Sequence, residues 1–148
     1  MLIGDVMTES VVTAPRSATL GDVATLMRDH NVGSIVICDD GRPQALITDR
    51  DVAIAMGADA ADRSEGVASF ATRPLVTAQP EMEIEEAAAL MVQNRIRRLP
   101  VLDGENLTGI LTLDDLAVRV GDVRLAQQMT AEVARAALPE FYFHERGG

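Results

Sequence analysis

The chain of 148 residues has no tryptophan and no lysine, a single cysteine, one tyrosine and three phenylalanines. With aromatics at 3%, a core has to be assembled from Val, Ile, Leu, Ala and Met. One thiol excludes an intrachain disulfide, which fits a reducing compartment. That thiol, Cys38, lies in the apolar run Ile35-Val36-Ile37-Cys38 and reads as a small hydrophobe. No apolar run approaches the length of about 18 residues that suggests a membrane span. Met1-Leu2-Ile3-Gly4-Asp5 has neither the basic nor the apolar region of a signal peptide, so a cytoplasmic protein with no membrane partner is expected. Positive charge is scarce: the formal net charge is -10, which argues against general affinity for nucleic acid or anionic lipid. Catalytic constellations are also lacking. His30 and His144 stand far apart, outside any metal-spaced or triad-like set, and Asp39-Asp40 and Asp114-Asp115 are explained by turn and helix-start preferences. No catalytic residue, metal ligand or cofactor is therefore assigned, and no enzyme is expected.

What the sequence does have is an internal repeat. Sliding the chain on itself by 64 residues matches Thr8 to Thr72, Val12 to Val76, Leu26 to Leu90, Met27 to Met91, Asp39 to Asp103, Thr48 to Thr112 and Asp51 to Asp115, with no gap. Each copy reads β-α-β-β-α. Val11-Val12-Thr13 and Leu75-Val76-Thr77 are β-prone. Thr19, with Asp22 three residues later, caps a helix whose Leu20, Val23, Ala24 and Met27 share one face, and Ile84, Ala87, Ala88 and Met91 do the same in copy two. Ser34 to Cys38 and Leu99 to Leu102 read as buried strands, followed by turns at Asp39-Asp40-Gly41 and Asp103-Gly104. Gln44 to Thr48 and Leu107 to Thr112 are the next strands, with helices from about Asp49 to Met56 and Asp114 to Val120. The expected organisation is repeat one over 1–57, a linker over 58–66, repeat two over 67–121, and a C-terminal helix with an aromatic tail over 122–148. In that last segment Val123, Ala126, Met129 and Val133 mark an amphipathic helix closed by Pro139, and Phe141-Tyr142-Phe143 reads as a patch that packs on its own domain or a twin subunit.

The stretch that recurs most tellingly is Thr-x-x-Asp after a strand: Thr48 with Asp51, and Thr112 with Asp115. Read alone it is a capping box. It also places a hydroxyl and a carboxylate at a helix N-terminus, where free backbone N–H groups favour a polyol or a phosphate. Every basic side chain is arginine, the better bidentate donor to phosphate, and Arg95, Arg97 and Arg98 fall within four residues. Arg95 is assigned to the surface, whereas Arg97 and Arg98 are candidates for binding an anion.

The Met7-Thr8 opening with Val11-Val12-Thr13-Ala14, the helix Ala18 to Met27, His30-Asn31-Val32-Gly33-Ser34 and Leu46-Ile47-Thr48-Asp49-Arg50-Asp51-Val52 resemble a CBS domain. So do Arg95-Ile96-Arg97-Arg98-Leu99-Pro100-Val101 and Gly109-Ile110-Leu111-Thr112 with Asp115-Leu116 in the second copy. The resemblance covers about Ile3 to Val120 and implies a tandem CBS pair, or Bateman module. The implied fold is α/β (α+β), with two repeats packed sheet to sheet about a pseudo-twofold axis. The implied clefts between the repeats bind adenosine-containing ligands such as AMP, ADP, ATP or S-adenosylmethionine. By that resemblance Asp51 and Asp115 are ribose acceptors, and Thr48 and Thr112 lie near phosphate. Residues just before the second strand line the family's clefts, so Arg97 and Arg98 make the Thr112 and Asp115 cleft the better expected anion site, with Val12, Val32 and Gly33 as apolar or backbone contacts. The Thr48 and Asp51 cleft, borrowing Val76, Ile96 and Arg97, is expected to be weak or empty. It also carries Ala45 where the family usually has glycine and where copy two has Gly109, a methyl that could narrow it. The resemblance implies a homodimer and a regulated partner protein. Two functions follow: a nucleotide-sensing regulatory module, or a structural module that keeps the fold for dimerisation and protein interaction.

Overall fold

The structure is a computed structural model describing residues 1–72 and 75–137. Pro139, His144 and Phe141-Tyr142-Phe143 lie outside the described residues.

Repeat one follows the expected order. Strand β1 (Thr13–Pro15) leads to helix α1 (Leu20–His30), strands β2 (Ser34–Asp39) and β3 (Arg42–Thr48), and helix α2 (Asp49–Gly57). β1 runs parallel to β2 and β2 antiparallel to β3, giving a sheet of order β1-β2-β3. Thr19 caps α1 by accepting from the Asp22 N–H, and Asp22 accepts from the Thr19 N–H in return. The β2–β3 turn is tight because Asp40 and Gly41 both adopt positive φ, 53° and 77°, as a two-residue hairpin of the Asp-Gly type requires.

Repeat two supplies helix α3 (Ile84–Asn94), strands β4 (Arg98–Asp103) and β5 (Asn106–Thr112), and helix α4 (Leu113–Val118), followed by α5 (Val123–Ala137). The β-prone run at 75–77 forms no strand of its own. Only Ala78 bridges to Val101, in parallel, so the β4-β5 sheet has two strands where its counterpart has three. Arg95 ends α3 with φ 56°, as Asn31 ends α1 with φ 53°, and its side chain is exposed. In α5, Ala126, Met129 and Val133 are buried, whereas Val123, assigned to the same apolar face from its spacing, is 68% exposed because it begins the helix.

The chain divides into two compact units that do not coincide with the two repeats. One is built of Met1–Glu9, Val76–Gly104 and the chain from Thr108 onward; the other of Ser10–Leu75 with Glu105–Leu107. Each has its own aliphatic core. In the first, Ile3, Val6 and Met7 join Ile84, Met91, Leu99, Leu111 and Leu116. In the second, Val67 joins Leu20, Val23, Ile35, Ile37 and Ile47.

The segment ahead of each repeat is therefore stitched into the unit of the other, and the 64-residue offset carries over to the stitches. The Ile84 N–H donates to the Met1 carbonyl at 3.0 Å, and the Leu20 N–H donates to the Glu65 carbonyl at 2.9 Å. Thr8 bridges Ile110, and Thr72 bridges Leu46. The small, polar stretch at 58–66 thus does more than link: its Arg63 and Glu65 carbonyls satisfy N–H groups at the start of α1.

Candidate functional site

Both Thr-x-x-Asp stretches form reciprocal capping boxes. In copy one the Thr48 Oγ1 accepts from the Asp51 N–H at 3.2 Å, and Asp51 Oδ2 accepts from the Thr48 N–H at 2.9 Å. In copy two the Thr112 Oγ1 accepts from the Asp115 N–H at 3.2 Å, and Asp115 Oδ2 accepts from the Thr112 N–H at 2.9 Å. The residue just ahead of β2 or β4 reaches each helix start through one more backbone bond. The Asp49 N–H donates to the Gly33 carbonyl, and the Leu113 N–H to the Arg97 carbonyl, both at 2.9 Å. Gly33 is thereby brought to the Thr48 copy and Arg97 to the Thr112 copy.

Beyond the caps the two carboxylates differ. Asp115 is 5% exposed, the one buried charged residue of the described core. Its Oδ1 accepts from the Thr8 hydroxyl at 3.0 Å and lies 3.5 Å from Arg119 Nε, while Arg119 Nη1 donates to the Met7 carbonyl at 3.2 Å. Asp51 is half-buried, and its second oxygen has no partner among the described residues. The counterparts explain the difference. Thr72, which bridges Leu46 as Thr8 bridges Ile110, is exposed, and Ala55, which stands 64 residues before Arg119, has no charge to offer.

Arg97 is exposed and Arg98 half-buried, and neither guanidinium has an ion-pair partner among the described residues. The apolar candidates are all half-buried. Val12 and Val32 pack against the core of the second unit, and Val76 and Ile96 against that of the first. Backbone bonds fix three of them: the Val12 carbonyl accepts from the Val36 N–H, the Val32 N–H donates to the Met27 carbonyl, and the Ile96 N–H donates to the Met91 carbonyl.

Ala45 is 3% exposed within the second unit's core, so its methyl is used in packing. At Gly109 a methyl would meet Met7 and the Thr8 carbonyl. The difference between the copies at this position is thus one of how closely the preceding segment approaches the strand.

Two residues of this constellation, Thr8 and Arg119, were not singled out from the sequence. Arg119 follows Asp115 by one helical turn, a spacing that flags an ion pair. Thr8 is 107 residues from Asp115, and neither its match to Thr72 nor its place in the Met7-Thr8 opening points to that partner. Among the described residues no group of three or more His, Cys, Asp or Glu is placed to hold a metal ion, and no helix is long and apolar enough to cross a membrane.

Comparison with known proteins agrees with this architecture. The CBS domain family matches the chain twice, over residues 3–58 and 67–122. The CBS domain-containing protein YhcV of Bacillus subtilis is 39% identical over 136 residues, covering 92% of this chain and 91% of its own length. Hypoxic response protein 1 of Mycobacterium tuberculosis is 30% identical over 136 residues, covering 90% of this chain and 95% of its own. Among solved structures, a CBS domain protein of Pyrobaculum aerophilum complexed with AMP superposes with a TM-score of 0.78 at 23% identity, over 88% of this chain and 99% of that one. With two matched repeats spanning most of its length and relatives of nearly the same extent, the chain belongs to the CBS domain family as a tandem pair.

Proposed function

We propose that this tandem CBS pair is a regulatory module that binds an adenosine-containing nucleotide through a Thr-x-x-Asp stretch. The observation that carries this reading is the half-buried Asp51, whose carboxylate keeps one oxygen without a partner among the described residues, beside the Thr48 hydroxyl. An ionised carboxylate placed so can accept from the cis-diol of a ribose, each charged hydrogen bond being worth about 1.5–3 kcal/mol. That the same fold holds AMP in the P. aerophilum protein supports the ligand class. Regulation requires the nucleotide to bind two arrangements of the module unequally, and a homodimer or a regulated protein would read out the difference.

Calorimetric titration with AMP, ADP, ATP and S-adenosylmethionine tests this. Asp51→Ala should weaken binding by about 2 kcal/mol, around thirtyfold. Absence of sub-millimolar binding by all four ligands would overturn the nucleotide reading and leave the fold as an interaction module.

A further inference from the structure

We infer that Asp115 is withdrawn from nucleotide recognition in this chain and instead fastens the segment Met1–Glu9 to repeat two, leaving Asp51 as the ribose acceptor. The inference rests on the nucleotide reading above for its second half only. A cis-diol can bind only a carboxylate it can reach, and Asp115 is 5% exposed beneath its partners. At Asp115 one oxygen takes the Thr112 N–H, and the other takes the Thr8 hydroxyl at 3.0 Å with Arg119 Nε at 3.5 Å. Arg119 is itself tied to the same segment, since its Nη1 donates to the Met7 carbonyl at 3.2 Å.

A ligand at Asp115 would have to displace this arrangement, and Met1–Glu9 is held by more than it. Thr8 and Ile110 exchange backbone hydrogen bonds at 2.9 Å, the Ile3 N–H donates to the Met82 carbonyl at 2.9 Å, and Ile3, Val6 and Met7 are buried. Uncovering Asp115 therefore means undocking apolar side chains as well as breaking a hydrogen bond. Copy one has the matching backbone bridge, Thr72 with Leu46, but not the side-chain fastening, since Thr72 is exposed and Ala55 replaces the arginine. The Thr8–Asp115–Arg119 set thus determines which Thr-x-x-Asp is open.

The test combines AMP titration with amide hydrogen exchange at Thr8 and Ile110 in the full chain, for wild type, Asp51→Asn, Asp115→Asn, Thr8→Val and Thr72→Val. The expected result is one AMP per chain, weakened about tenfold or more by Asp51→Asn and changed less than about threefold by Asp115→Asn. Asp115→Asn and Thr8→Val should each accelerate exchange at Thr8 and Ile110 about tenfold, with Thr72→Val leaving it unchanged. Thr8→Val decides the matter should Asp115→Asn fold poorly, because it removes only the hydroxyl. Two AMP per chain, loss of binding in Asp115→Asn but not in Asp51→Asn, or exchange unmoved by Thr8→Val would overturn the inference. A wild type that binds no AMP removes the assignment of Asp51, and the fastening role is then decided by exchange alone.

Discussion

Replacing Gly109 with alanine is the most direct probe of how Met1–Glu9 is seated. A Cβ built on Gly109 falls 2.5 Å from Met7 Sδ, 3.0 Å from Met7 Cγ and 2.9 Å from the Thr8 carbonyl oxygen. Met7 Sδ could swing aside in open surroundings, but the side chain is 9% exposed and packed in the core. The Thr8 carbonyl is less able to move, because it accepts from the Ile110 N–H at 2.9 Å. Overpacking of this kind costs about 1–3 kcal/mol. Alanine returns about 0.4–1 kcal/mol by restricting the unfolded chain. The net destabilisation should therefore be about 0.5–2 kcal/mol, or a few degrees in Tm at this chain length. Urea denaturation should show a lower midpoint at unchanged slope. The structure makes a sharper claim through the partner residue. Met7→Ala is costly by itself, yet Gly109→Ala should cost less in that background, a favourable coupling of about 0.5–3 kcal/mol. The equivalent positions of the other unit, Ala45 and Ala71, already hold this combination, and both line one small cavity with Arg16, Ile37 and Gln44. A Gly109→Ala protein as stable as wild type, or one whose cost is additive with Met7→Ala, would refute the reasoning.

The remaining expectations concern titration and reactivity. The backbone N–H and hydroxyl of Thr19 hold the Asp22 carboxyl below the usual carboxylate range. A depressed folded pKa contributes stability that is present above the unfolded value of about 3.9 and is lost as pH falls through the folded one. Urea midpoints should accordingly decline more steeply with acid in wild type than in Asp22→Asn, and equal acid limbs would count against this cap. Burial pushes the Cys38 thiol up, so its thiolate is scarce at neutral pH. Alkylation by iodoacetamide should be about tenfold slower than for glutathione and should speed up in urea; a rate equal to that of the free thiol would show that burial does not protect it.

What could be read from the sequence was what is local. The caps at Thr19, Thr48 and Thr112 follow from a hydroxyl and an acid three residues on, an interaction closed within one turn of helix. Tertiary pairing was not legible in the same way. Nothing near Thr8 says that its hydroxyl meets Asp115, or that the residues ahead of each repeat are stitched into the unit of the other. The sequence ranked the Thr112 and Asp115 copy first on Arg97 and Arg98, because it showed the arginines and not the Thr8 hydroxyl and the Arg119 side chain that meet the Asp115 carboxylate. Yet the departures from the repeat, taken together, follow a physical pattern. Identical pairs such as Thr48 with Thr112 and Asp51 with Asp115 serve bonds made inside one capping box, which each copy must satisfy by itself. Departures fall where two segments meet: Met7 against Gly109 but Ala71 with Ala45, and Arg119 beside Asp115 but Ala55 near Asp51. A large side chain facing a glycine and two alanines lining one cavity are different solutions for the same pair of positions, so the members of such a pair cannot change independently. The arginine has no such compensation in copy one. Asp51 keeps one carboxylate oxygen without a partner among the described residues, and the asymmetry between the two Thr-x-x-Asp stretches comes from Arg119 and from Thr8, not from the stretches themselves.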